Sequence, residues 1–71
     1  MEPKELDVVK LRSAIPDHDL PAGTEGTIVN DIQTEGLRAY LVEFSDDEGI
    51  TQALIHVAED NLEVVWRPAV G

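Results

Sequence analysis

Seventy-one residues carrying 15 acidic and 5 basic side chains make one domain at most, with a formal net charge of −10. Cations scattered as Lys4, Lys10, Arg12, Arg38 and Arg67 cannot form the stripe that a phosphate backbone or an anionic lipid surface attracts, so the charge argues against nucleic-acid and membrane binding. With no Cys, no apolar run near the ~18 residues of a membrane span and no signal-peptide stretch in MEPKELDVVK, disulfides and thiolate chemistry are excluded and a cytoplasmic protein is expected.

Apolar residues recur with a period near two rather than 3.6, which predicts strands. The first runs from Leu6 to Leu11, with Val9 and Leu11 pointing one way and Val8 the other. Ser13 to Gly26, with Pro16, Pro21, Gly23, Gly26 and the polar run Asp17-His18-Asp19, reads as a long loop. Alternation resumes from Thr27 to Ile32 through Ile28 and Ile32, and Thr34-Glu35-Gly36 turns the chain. In the third strand Tyr40, Val42 and Phe44 share one face, while Ala39, Leu41 and Glu43 share the other. Ser45-Asp46-Asp47-Glu48-Gly49 is a hairpin tip, with Gly49 free to take the positive φ that closes it. A fourth strand spans Ile50 to about Val57, its face Thr51, Ala53, Ile55, Val57 buried and its face Ile50, Gln52, Leu54, His56 outward. Ala58-Glu59-Asp60-Asn61 holds at most one helical turn, Leu62 to Val65 forms a short fifth strand, and Trp66 to Gly71 is a frayed tail.

Leu, Ile, Val and Phe number 21 of the 71 residues, above the level of about 20% below which a highly charged chain fails to fold. Five short strands are too few for a two-sheet sandwich but can curl into a small, strongly bent barrel filled by side chains, which would remove exposed edges. The expected fold is therefore all-β, one domain over residues 1–71 with its core within about 5–65. Val9, Leu11, Ile28, Val42, Phe44, Ala53, Ile55 and Leu62 form the expected core, and Tyr40 goes with Phe44. Gly23 ends a Pro-led turn, and Gly26 stands where one strand must bend sharply across another. An anion-cradling reading of these glycines would want a helix N-terminus or a Lys nearby, and neither follows.

The stretches Glu5-Leu6-Asp7-Val8-Val9-Lys10-Leu11, Leu20-Pro21-Ala22-Gly23-Thr24-Glu25-Gly26-Thr27-Ile28-Val29, Tyr40-Leu41-Val42-Glu43-Phe44 and Asp60-Asn61-Leu62 resemble the bacterial family known as domain of unknown function 4926, over roughly residues 5 to 65. The resemblance implies a five-stranded SH3-like barrel. It brings no established activity, so it implies no catalytic, cofactor or metal residue.

Chemistry is sparse. Asp17-His18-Asp19 places an imidazole between carboxylates, but neighbouring side chains diverge in an extended loop, and His56 is on a distant strand; a solvated loop is the simpler reading. Asp46-Asp47-Glu48 lacks the twelve-residue span of a calcium loop. No Ser, Lys or Asp adjoins His56 to complete a catalytic site, so neither an enzyme nor a cofactor is expected. Trp66, beside Val64, either folds back over a barrel end or faces another chain. Trp66, Val64, Asp46, Asp47 and Glu48 are thus the candidate interaction residues. The expected function is a non-catalytic module whose acidic surface meets a basic protein, antitoxin-like or immunity-like, and the alternative is a structural homo-oligomer. Salt should strengthen self-association and weaken binding to a basic partner.

Overall fold

Short apolar runs of period two, each cut off by Gly, Pro or acidic residues, bury a face only by lying side by side. In the computed structural model, which describes residues 3–34, 37–46 and 48–69, they do so as five strands: β1 (Val8–Leu11), β2 (Glu25–Thr34), β3 (Leu37–Ser45), β4 (Thr51–Ala58) and β5 (Leu62–Trp66). All pairs are antiparallel, in the order β4-β3-β2-β1-β5. The chain is all-β, and its last strand returns beside the first, as in an SH3-like barrel. Backbone ladders do not join β4 to β5 among the described residues, so the barrel leaves two sheet edges where complete closure was expected.

The bend is built at β2. Its first residues pair with β1 (Val8↔Thr27, Val9↔Gly26), while Thr27 onward pairs with β3, and a bulge at Val29 increases the local twist. A second bulge places Val65 as the extra residue of β5 between Val8↔Trp66 and Val9↔Val64. Both bulge valines are exposed, because the unpaired residue of a bulge turns away from the core. Gly26 is buried at the crossing: a Cβ there would stand 2.7 Å from Val42 Cγ1 and 2.8 Å from both the Glu43 carbonyl oxygen and Phe44 Cδ1. The glycine is needed for this close approach, whereas Gly23, at φ 87°, serves its turn.

Val9, Leu11, Leu20, Ile28, Tyr40, Val42, Phe44, Val57 and Leu62 form the buried core. Ala53 and Ile55, expected inside, pack against it while partly exposed, because β4 is an edge strand with sheet on one side alone. Thr51, expected on the same buried face, is exposed. Leu20 enters from the segment read as a structureless loop: an isolated bridge Ile15↔Leu20 closes around a 3₁₀ turn at Pro16–His18 and aims Leu20 inward.

Two further boundaries differ from expectation. The first strand begins at Val8 because Leu6, at φ 75°, leaves the extended region, and the Asp7 N–H donates back to the Lys4 carbonyl at 3.0 Å. Trp66 belongs to β5, paired with Val8, and Arg67 is anchored as described below, so the tail is held at least through Arg67. The turn expected at Thr34-Glu35-Gly36 falls at Glu35 and Gly36 outside the described residues, and it is flanked by the pair Thr34↔Leu37.

Candidate functional site

The ladders line up a row of residues across all five strands: Leu54, Glu43, Thr27, Val8 and Trp66 are successive register partners. Partners in register share a face, and this is the outer one. A shallow cleft of about 420 Å³ is lined along the row by Val8, Thr24, Glu25, Gly26, Thr27 and Ser45. Val8 is the cross-strand neighbour of Trp66, and Ser45 leads into Asp46. Its one charged lining residue is Glu25. Trp66 is 58% exposed, which answers the question left by the sequence: it does not fold back as a cap.

Val64 is not part of this surface. It is the register partner of Val9 and packs against the core. Asp46 is exposed but occupied: Oδ1 accepts the N–H groups of Glu48 and Ile50, each at 2.9 Å, and Oδ2 accepts from Gln52 Nε2 at 3.1 Å. Together with the Gly49 N–H bond to the Asp46 carbonyl, this is an Asx-type turn in which the carboxylate holds the hairpin. Asp47 lies outside the described residues. Glu48 is exposed at the tip. Of the expected interaction residues Trp66, Asp46 and Glu48 are exposed, and Glu25 lines the cleft.

The residue with the most distinctive chemistry escaped the sequence reading. Asp7 is 1% exposed and is the one buried charged residue among those described. Arg67 Nε donates to Oδ1 at 3.0 Å and to Oδ2 at 3.2 Å, Nη2 donates to Oδ2 at 2.7 Å, and the Lys4 amide adds a further bond to Oδ2 at 2.8 Å. The signal was present: Asp7 shares parity with Val9 and Leu11 on the inward face, and a buried carboxylate requires a cation. Hydrogen bonding from Arg67 holds the Asp7 carboxyl below its ordinary range, against the opposing effect of burial and with help from the Lys4 amide. A folded-state pKa below the unfolded value of about 3.9 stabilises the native state above that value, and the contribution is lost as pH falls through the folded pKa. Asp7→Asn should cost about 1.5–3 kcal/mol at neutral pH and flatten the loss of stability below pH ~4, as urea titrations at several pH values would show.

The pair ties the segment before β1 to the segment after β5. Beside it lies a mostly apolar groove of about 380 Å³ lined by Lys4, Leu6, Pro68 and Ala69 among others. Asp17, His18 and Asp19 are exposed around their 3₁₀ turn, and His56 is exposed on β4. Among the described residues no group of three His, Asp or Glu side chains could hold a metal ion, and no helix is long and apolar enough to cross a membrane.

No curated protein and no solved structure matches the chain. One family profile does, over residues 5–64, which takes in all of β1 to β4, most of β5 and both Gly23 and Gly26; the chain belongs to that family, Domain of unknown function (DUF4926).

Proposed function

We propose that this protein is a non-catalytic protein-interaction module of the bacterial cytoplasm, antitoxin-like or immunity-like in its mode, whose acidic outer face receives a basic partner protein. The observation that carries this reading is the disposition of charge. Among the described residues, three of the five cations lie against carboxylates of the same chain: Lys10 and Glu63 at 3.9 Å, Arg38 and Glu59 at 4.0 Å, and Arg67 and Asp7 at 2.7 Å. The acidic excess of the chain is left to an outside partner.

Trp66 gives that partner an anchor. An exposed indole suits an arginine or lysine side chain, whose cation is attracted by the ring face; a cation–π contact of this kind is worth about 0.5–2 kcal/mol. Long-range attraction raises the encounter rate and rejects acidic competitors. The test is affinity capture on the immobilised chain at low and high salt. A basic protein should be retained near 0.05 M salt and lost near 0.5 M, where the Debye length has shrunk to about 4 Å. Trp66→Ala should weaken the purified pair about tenfold. A partner that is acidic, or one whose affinity is indifferent to salt, contradicts the proposal.

A further inference from the structure

The two strands that end the sheet differ in how their sequences treat an open edge. Natural edges are blunted by charges, Pro, bulges or cover, because unpaired N–H and C=O groups template another strand. β5 is blunted: Glu63 sits within it, paired with Lys10 at 3.9 Å, and the Val65 bulge breaks its ladder. β4 reads Thr-Gln-Ala-Leu-Ile-His-Val-Ala, eight residues with no Asp, Glu, Lys, Arg or Pro in a chain that is 28% charged. A bulge at Gln52 disturbs its first residues, between Ser45↔Thr51 and Phe44↔Ala53, but Ala53 to Ala58 runs regularly along β3.

The core is unfinished at this edge. On β3, Tyr40, Val42 and Phe44 are each no more than 1% exposed, whereas two of their β4 partners, Ile55 and Ala53, remain partly exposed. On the outer face of the same strand Leu54 is 52% exposed beside exposed His56. Apolar residues half-covered on both faces of an uncharged edge are what an additional strand would bury.

We propose that β4 pairs with β4 of a second copy of this chain, antiparallel about a twofold axis at Ile55, giving one continuous sheet across the dimer. The regular stretch is self-complementary about that residue. Ile55 faces Ile55 of the second copy, Ala53 faces Val57, a small residue against a branched one, and Leu54 faces His56. No like charges meet, and two chains of −10 each approach best where neither carries charge. A basic peptide, by contrast, finds no carboxylate on β4 to prefer it. This edge and Trp66 lie at opposite ends of the strand order, on β4 and β5, so the dimer and the basic partner stand or fall separately.

Sedimentation at a series of concentrations and two salt concentrations tests the proposal. The wild-type chain should dimerise, more tightly at higher salt because screening removes repulsion without weakening apolar contact. Leu54→Lys should weaken the dimer at least tenfold although it lowers the net charge, and Trp66→Ala should leave it unchanged. The chain has no cysteine, so a Leu54→Cys, His56→Cys double variant provides a second readout. Cross-strand partners have Cα atoms about 4.5–5.5 Å apart, within disulfide reach, so oxidation should yield a covalent dimer. A monomer under all conditions, a dimer that survives Leu54→Lys, or one that Trp66→Ala dissolves would overturn it. So would β4 amides that gain hydrogen-exchange protection only when the basic partner is added, which would assign the edge to that partner.

Discussion

Phe44→Ala should cost about 3–5 kcal/mol, comparable to the whole stability of a domain this small, and leave the chain largely unfolded at ambient temperature. Phe44 is 1% exposed, sits mid-core on β3 opposite Ala53, and has its ring edge against the backbone of Gly26. Its removal therefore opens a cavity where β2 crosses β3, and neither Gly26 nor the small methyl of Ala53 can fill it. Urea titration followed by circular dichroism measures the loss. A cost under ~1 kcal/mol would mean that the crossing is not the centre of the core.

Gly26→Ala should be nearly as damaging, at about 3 kcal/mol, for the opposite reason. The added methyl meets Val42 Cγ1 and Phe44 Cδ1, which could yield, and the Glu43 carbonyl oxygen, which is fixed by the β2–β3 ladder. Trimming the ring with Phe44→Leu should recover part of the loss, so the double variant is more stable than the sum of the single costs allows. Strict additivity, measured in the same titrations, would show that the backbone contact alone sets the penalty.

The contrast between these two positions shows what the sequence could reveal. β3 was legible because three large apolar residues alternate with smaller or polar ones over a full strand, and such a pattern has one stable orientation. The bend at Gly26 was legible because a glycine opening a strand has few other uses. Periodicity assigns a face to Ala53 and Ile55, but it cannot say whether another strand lies beyond them, and so their partial exposure was hidden. Leu20 was hidden because a loop has no period, and its burial depends on the bridge to Ile15.

The candidate site divides in the same way. Trp66 stands out in the sequence by its type and position, and it is exposed on the outer face. Val64 adjoins it in sequence, but the alternation of strand faces and the Val65 bulge turn Val64 against the core. Asp46 reads as surface charge in the sequence, whereas a carboxylate two residues before a free N–H at a hairpin tip turns back onto its own backbone. Asp7 and Arg67 are sixty positions apart, and only the return of β5 beside β1 brings them together.

The chain contains one tryptophan, so its fluorescence reports on the proposed interaction face without labelling. In the free protein, at low or high salt, Trp66 should emit as a water-exposed indole and be readily quenched by acrylamide; addition of the basic partner should shift the emission to the blue and protect it. An emission already that of a buried indole in the free chain, unmoved by the partner, would contradict the account.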